Sequence, residues 1–217
     1  MKTSFIDYVL CTLAVSFILG VSAGVCMLAY PLARHVLQDY HVVFDVLLFL
    51  LSFGLVAAMV VRLIVRIWPI APGEYGPDSP VFVRWKLLSV LYRFGQGALK
   101  PFTNAVTKPL VETLYGARMG ADVALGGAID DPYQVTVGQQ AVLGFNSLVS
   151  GNMLYGDKLI CGPVRIGARA LVGVNCVILP GVEIGEGAVV MGGAHVMPNT
   201  RIPAGETWRG NPARKWQ

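Results

Sequence analysis

The chain has 217 residues, a length typical of one or two domains, and 54% of them are hydrophobic while only 14% are charged. This composition is too apolar for an average soluble protein. The net charge of +4 is modest, whereas a nucleic-acid-binding surface needs a denser basic patch with exposed aromatic residues. We therefore expect no nucleic-acid partner.

Two apolar segments lie near the amino terminus. Residues 5–30 carry only the charge of Asp7, and residues 42–61 carry only that of Asp45. Each is long enough to cross a hydrocarbon core of about 30 Å as a helix. A cleaved signal peptide would be shorter and would not be followed at once by a second span. Residues 1–68 are therefore predicted to form a transmembrane helical hairpin, joined by a polar connection at 31–41.

Basic residues set the expected orientation of this hairpin. Positive charges gather at the cytoplasmic ends of membrane helices. Lys2 precedes the first span, and six basic residues follow the second one: Arg62, Arg66, Arg84, Lys86, Arg93 and Lys100. We expect an integral protein of a bacterial inner membrane, with the amino terminus and all residues after the second span on the cytoplasmic side, and with membrane lipid as a partner.

Residues 69–116 are predicted to form a linker with interfacial helices. A stretch dense in Pro and Gly follows Trp68 and ends the second span. Ser79 and Pro80 are suited to begin a helix, which apolar spacing extends over 81–94. Basic residues flank its apolar positions, so this helix is predicted to lie in the membrane interface. A second short helix is expected over 109–115.

Residues 117–217 carry a pattern that recurs every six residues. Neither a 3.6-residue helix nor an array of hairpins holds that period over so many steps, whereas a β-helix of hexapeptide repeats does. Aliphatic residues should fill its interior, small residues should fit beside them, and Gly at positions such as 167, 173 and 185 should turn the corners where φ is positive. The aliphatic positions are Ile160, Ile166, Val172, Ile178, Ile184, Val190, Val196 and Ile202, and the small ones are Val164, Ala170, Cys176, Val182, Ala188, Ala194 and Thr200.

The four cysteines do not point to a metal or a disulfide. None belongs to a CxxC pair, and a cytoplasmic domain keeps its thiols reduced. Cys176 occupies a small-residue position of the repeat, so we expect it to be a packed side chain. No zinc site is predicted.

Several motifs resemble a known family. The six-residue repeat followed by Trp208-Arg-Gly-Asn-Pro-Ala-Arg resembles the hexapeptide-repeat acyltransferases. The two spans, Pro-Gly-Glu-Tyr at 72–75, Arg84-Trp85 and Leu114-Tyr-Gly-Ala-Arg-Met-Gly are similar to membrane-bound relatives. These include the C-terminal domains of poly-lysine-type nonribosomal peptide synthetases. The resemblance covers nearly the whole chain and indicates the fold more strongly than the substrate.

This resemblance implies a left-handed parallel β-helix and a homotrimer with active sites between neighbouring subunits. Acetyl-CoA or another acyl-CoA would be a co-substrate rather than a permanent cofactor, and the acceptor would be an amine or hydroxyl of a small molecule, peptide or sugar. In relatives the Gly-Asn-Pro-Ala turn approaches the coenzyme, and here this turn is Gly210, Asn211, Pro212 and Ala213. Alternatively, the turn only ends the column. Arg209, Arg214 and Lys215 would pair with coenzyme phosphates, or would only solvate the last strand.

The expected catalytic histidine is missing. Acyl transfer needs a base for the acceptor proton, usually His. At the two places where relatives carry it, this chain has Asn175 and Asn152, and an amide can orient a substrate or stabilise an oxyanion but cannot act as a base. The candidate bases are His195, which would face outward unless it lies on the wrong face, and Asp157, in the segment where the repeat changes phase.

Two functions remain open on the sequence. One is a membrane-bound acyltransferase that moves an acyl group, acetyl in the first instance, from coenzyme A to an amine or hydroxyl. The other is a catalytically silent trimeric β-helix that serves as a membrane scaffold or assembly subunit, which Asn at both expected His positions favours. A γ-class carbonic anhydrase shares the fold but needs three metal-binding histidines, and the repeat region has only His195.

Overall fold

The structure is a computed structural model that describes residues 5–216. Four helices occupy most of its first half: α1 (Phe5–Leu37), α2 (His41–Ile67), α3 (Pro80–Leu99) and α4 (Lys108–Leu114). Short 3₁₀ turns lie at Gln38–Tyr40, Lys100–Phe102 and Pro132–Gln134. The strands are β1 (Gly73–Tyr75), β2 (Arg118–Met119), β3 (Ala124–Leu125), β4 (Ala128–Asp130), β5 (Val135–Val137), β6 (Val142–Leu143), β7 (Leu148–Ser150), β8 (Asn152–Tyr155), β9 (Lys158–Cys161), β10 (Val164–Ile166), β11 (Leu171–Val172), β12 (Val177–Ile178), β13 (Glu183–Ile184), β14 (Val189–Val190), β15 (His195–Val196), β16 (Arg201–Ile202), β17 (Thr207–Arg209) and β18 (Arg214–Lys215).

The helices α1 and α2 fold back on each other. Cys26 Sγ lies 3.7 Å from the carbonyl oxygen of Asp45, and Ile18 and Phe53 share one hydrophobic cluster. These pairs bring later residues of α1 to earlier residues of α2, as in an antiparallel hairpin. The expected polar connection at 31–41 is shorter than predicted, because Pro31 lies inside α1 and only the 3₁₀ turn separates the two helices.

Among residues 5–216, one helical stretch, Phe5–Ile67, is long and apolar enough to cross a membrane by length and composition. It counts as one stretch because the 3₁₀ turn continues the helical run from α1 into α2. Many of its large apolar side chains face outward: Phe5 is 82% exposed, Leu28 is 85% exposed and Met59 is 69% exposed.

The packing of α3 differs in part from the sequence expectation. Ser79 caps its first turn by accepting a hydrogen bond from Val81 N at 3.2 Å, as expected. However, α3 packs against both α1 and α2, and its Leu88 and Leu91 are fully buried. Part of its apolar surface therefore belongs to a protein core, whereas Phe94 of the same helix is 59% exposed. A location of α3 in the membrane interface stays a prediction. Lys86, expected as a basic flank, is buried as well.

The second half of the chain is a left-handed parallel β-helix, which confirms the β-helix part of the predicted fold. Its strands stack into three parallel sheets, one on each side of the column. We call these face 1 (β2, β5, β10, β13, β16), face 2 (β3, β6, β11, β14, β17) and face 3 (β4, β7, β12, β15). The last strand, β18, pairs antiparallel with β17 at the edge of face 2.

The interior of the column follows the six-residue period. Side chains from all three faces form one buried cluster in which aliphatic and small residues alternate. Its fully buried members include Val172, Cys176, Ile178, Val182, Ala188, Val190, Ala194 and Val196. Parallel strands with an apolar inner row bury that row only by stacking coil on coil, so each coil depends on its neighbours.

The glycines that directly follow an aliphatic position of the repeat have a different role from the one expected. Gly167, Gly173 and Gly185 do not lie at positive φ. A Cβ on Gly173 would lie 2.5 Å from Gly192 N, and one on Gly185 would lie 2.4 Å from Ala204 N. The requirement for Gly is therefore the close approach of one coil to the next. The left-handed corners fall elsewhere, at residues such as Asn175, with φ of 56°, and at other glycines such as Gly187 and Gly193, where φ is positive as predicted for corner glycines.

A hairpin interrupts the column where the repeat changes phase. Strands β8 and β9 pair antiparallel with each other, and β1 adds a third strand. Ile160, expected in the interior of the column, lies in this hairpin and is only half-buried. The column resumes at Val164, which is fully buried. The change of phase thus marks an insertion that packs against the segment leaving α2.

Candidate active site

One edge of the column, between face 2 and face 3, carries Asn175. Its φ of 56° places it at a left-handed corner, directly above Asn146, which has the same φ. Asn146 Nδ2 donates to Asn175 Oδ1 at 2.8 Å, and Asn175 N donates to Phe145 O at 3.1 Å. Asn tolerates this backbone conformation better than most residues. Asn175 therefore has a structural role at the corner, and its Nδ2 group is the end that a ligand can contact.

His195 lies further along the same edge and touches the closing turn. It occupies the outward position of β15, in register with Val177, and is half-buried. Its backbone N–H donates to Gly210 O at 3.0 Å, and its carbonyl accepts from Ala213 N at 2.8 Å. The structure therefore brings together His195 and the Gly-Asn-Pro-Ala turn, two elements that are 15 residues apart in the sequence (195 to 210).

The closing turn is held by β17 and β18. Gly210 has φ of 94°, which only Gly adopts readily, and the Asn211–Pro212 peptide bond is cis. Ala213 is 2% exposed because it packs against the end of the hydrophobic interior. The turn thus closes the column and at the same time holds its backbone beside His195.

Two arginines flank this turn. The Arg209 guanidinium lies 5.2 Å from the centre of the Trp216 ring, and Arg214 Nη1 donates to the carbonyl of Ala213 at 3.0 Å. Nearby, hydrogen bonds from Lys215 and then Trp208 hold the pKa of Glu206 below its usual range. Lys215 is therefore engaged with a carboxylate, while both guanidinium groups remain beside the turn, where an anionic ligand would meet them.

Asn152 lies in a different environment, which the sequence did not reveal. Its Nδ2 donates to Asp131 Oδ2 at 2.5 Å, and Trp85 Nε1 from α3 donates to the same oxygen at 3.1 Å. Asp131 is 2% exposed, and burial raises its pKa from 3.8 to about 6, against the lowering effect of the Asn152 hydrogen bond. Asn152 thus holds a buried carboxyl. The only signal for Asp131 was the Asp-Asp-Pro break at 130–132.

A second buried carboxyl, also missed from the sequence, is Glu112 on α4. It is 2% exposed and lines a cavity of about 380 Å³ together with Gln96 and Lys108. Burial raises its pKa from 4.5 to about 7, although the hydrogen bond from Gln96 and the charge of Lys108 act to lower it. A carboxyl of this kind can exchange a proton near neutral pH.

Asp157 is set apart from the other predicted residues. It lies in the exposed turn that joins β8 to β9. The strands of this hairpin pair with each other and with β1, not with the three faces of the column. The predicted site residues therefore fall into two regions: Asn175, His195 and the closing turn along one edge, and Asn152 and Asp157 in the inserted hairpin.

Comparisons with known proteins fit the repeat. Residues 163–197 match the family described as "Hexapeptide repeat of succinyl-transferase". A Bacillus subtilis protein named as an acetyltransferase, YvoF, is 36% identical over 83 residues, which cover 38% of this chain and 47% of that protein. Gamma carbonic anhydrase 2 of Arabidopsis thaliana mitochondria is 33% identical over 107 residues, which cover 46% of this chain and 38% of that protein. The chain spans about half or less of the length of these curated relatives.

The solved structures similar to this chain include an acetyltransferase. The hexapeptide-repeat acetyltransferase of Vibrio cholerae, complexed with acetyl coenzyme A, is 24% identical, with a TM-score of 0.44 over 47% of this chain and 60% of that one. Among residues 5–216, no group of three or more His, Cys, Asp or Glu side chains is placed to hold a metal ion. Residues 163–197 match a hexapeptide-repeat family and lie on the left-handed parallel β-helix.

Proposed function

We propose that this protein is a membrane-bound acyltransferase that moves an acyl group, acetyl in the first instance, from coenzyme A to an amine or hydroxyl. The observation that carries the proposal is the contact between His195 and the Gly210–Ala213 turn at the end of a hexapeptide-repeat column. The contact runs through the main chain of His195, whose side chain takes the outward position of β15, and two arginines flank the same turn.

His195 supplies the base in this proposal. Its imidazole accepts the proton of the attacking amine or hydroxyl as the acceptor attacks the thioester carbonyl. The proton then passes to the leaving thiolate, and coenzyme A is released as the thiol. The Nδ2 group of Asn175, on the same edge, donates to the oxyanion that forms. Arg209 and Arg214 pair with the phosphates of the coenzyme. The turn itself leaves room for the coenzyme because it presents backbone rather than bulky side chains.

The membrane-bound part of the proposal rests on α1 and α2. Each is long enough to span the hydrocarbon core on its own, and together they expose a broad set of large apolar side chains. We place both helices in a bacterial inner membrane as two spans, with the column on the cytoplasmic side, where acyl-CoA is found. The neighbouring subunit of a homotrimer would complete the site on the outward side of His195.

A thiol-release assay tests the activity. Purified full-length protein in detergent is incubated with acetyl-CoA and a panel of amines and alcohols, and free thiol is measured. His195→Gln should lower kcat by about 10²-fold or more, the usual contribution of a general base. Asp157→Asn, in the hairpin, is the matched control and should retain full activity. Absence of both thiol release and coenzyme binding in the wild type would instead favour the silent scaffold.

A further inference from the structure

A pocket of about 210 Å³ lies at the base of face 1, away from His195. One wall comes from the column and the other from the segment that follows α2, through Ile70 and Pro72. The column contributes Arg118, Thr136 and Arg165, which are direct neighbours on adjacent strands β2, β5 and β10. The pocket therefore forms where the first coils meet the end of the apolar helices.

The lining of this pocket is cationic. Neighbouring strands are about 5 Å apart, so the two arginines stand on either side of the Thr136 hydroxyl with about 10 Å between their backbones. Arg165 shares the carboxylate of Glu183 at 2.7 Å, and Glu183 also pairs with Arg201 at 3.3 Å. Among the described residues that line the pocket, none is acidic. One carboxylate, that of Glu183, thus pairs with two arginines at one side of the pocket. At the other side, the positive charge of Arg118 is available to bind an anion.

The position of the pocket near the end of α2 indicates which kind of anion it meets. Trp68, directly after α2, is 56% exposed, and Trp gathers at the headgroup level of a bilayer. Ile70, only two residues further on, lines the pocket. Arg84 donates to the carbonyl of Trp68 at 3.1 Å, which brings a third cation to the same level. If α2 spans the membrane, the pocket lies among the phosphates of the cytoplasmic leaflet.

We propose that this pocket binds the phosphate of an anionic phospholipid headgroup. The planar guanidinium of Arg118 offers paired donors to two phosphate oxygens, and Thr136 offers a hydroxyl between the two arginines. The apolar rim of Ile70 and Pro72 meets the glycerol and the first methylenes of the lipid. The inference rests on the membrane-bound part of the proposed function but not on acyl transfer.

The test titrates the full chain in a neutral detergent with short-chain phosphatidylglycerol and measures binding by calorimetry. Arg118→Gln should weaken binding by about tenfold or more, since it removes a charge-assisted pair. Arg169→Gln, an exposed arginine that pairs with Glu186 rather than Glu183, is the matched control and should leave the affinity unchanged. Arg165→Gln should weaken binding in the same direction, and circular dichroism checks that each variant is folded.

Two competition experiments identify which part of the lipid the pocket binds. Short-chain diacylglycerol, which lacks phosphate, should not compete, and glycerol 3-phosphate, which lacks the chains, should compete only weakly. Equal affinity of wild type and Arg118→Gln would overturn the proposal, and so would glycerol 3-phosphate that binds as tightly as the lipid. Alkaline extraction of cell membranes reports anchoring separately, and thiol release reports activity, so failure of lipid binding is distinguishable from failure of the proposed function.

Discussion

Replacing Asp131 with Asn is expected to stabilise the protein at neutral pH. The side chain is 2% exposed and accepts hydrogen bonds from Trp85 and Asn152. Its φ of 54° is left-handed, a conformation that Asn adopts as readily as Asp. The substitution therefore keeps the backbone and the shape of the side chain. It leaves one oxygen to accept both hydrogen bonds, which reach the same oxygen of Asp131, and removes the ability to carry a negative charge.

The magnitude follows from the pKa of Asp131. Burial raises it from 3.8 to about 6, so the folded state holds the proton more tightly than the unfolded state does. The stability linked to this proton is fully present below pH 3.8 and is lost as the pH rises through about 6. A difference of about two pKa units corresponds to about 3 kcal/mol of unfolding free energy.

Urea unfolding of both proteins in detergent micelles, at pH values from acidic to slightly alkaline, measures the effect. Protonated Asp and Asn are both neutral, so the two proteins should have similar free energies of unfolding at about pH 4, and the variant should gain about 3 kcal/mol by about pH 8. Asp157→Asn, an exposed carboxyl in the adjacent hairpin, should follow the wild type throughout. Parallel pH profiles for wild type and Asp131→Asn would refute the reasoning.

Two further predictions concern packing and charge. Gly185→Ala places a Cβ 2.4 Å from the backbone of Ala204 and should lower the free energy of unfolding by about 1–3 kcal/mol. Gly76→Ala, with open space around it, is the control and should change the free energy of unfolding little. Thermal unfolding compares the two variants, and equal midpoints would contradict the close-approach argument. Lys86 pairs with Asp7 at 2.5 Å, and both side chains are 7% exposed. Lys86→Met alone should therefore lower the free energy of unfolding by about 3–5 kcal/mol, and the double variant with Asp7→Leu should recover most of that loss. A double variant no more stable than the single one would count against a buried ion pair.

The column could be predicted from the sequence because its period is a direct consequence of its geometry. Each coil has three flat faces, so interior positions recur every six residues, and no other regular structure gives that spacing. The change of phase before Ile160 likewise indicated an insertion. The period does not show what the inserted residues do, because antiparallel pairing between β8, β9 and β1 depends on contacts far apart in the sequence.

The role of Gly167, Gly173 and Gly185 was predicted wrongly for an identifiable reason. A Gly that follows an aliphatic residue is compatible with a positive φ and with close packing, and the sequence does not distinguish the two. The structure gives the left-handed corner to Asn175 and reserves Gly173 for contact with the next coil. The same ambiguity affected α3, whose apolar spacing suits either a bilayer surface or a protein core.

The buried carboxyls show why the candidate site was only partly predictable. His195 was predicted from its place in the repeat and the closing turn from a family resemblance, and the structure brings the two into contact. Asp131 and Glu112 lie in irregular or short segments, and their environment is created by α3 and the first coils packing against them. Burial raises both pKa values toward neutrality, so each acid lowers stability at neutral pH, and this cost is a property of the assembled fold. A sequence pattern records which residues are present, whereas the affinity of a carboxyl for its proton depends on what surrounds it in three dimensions.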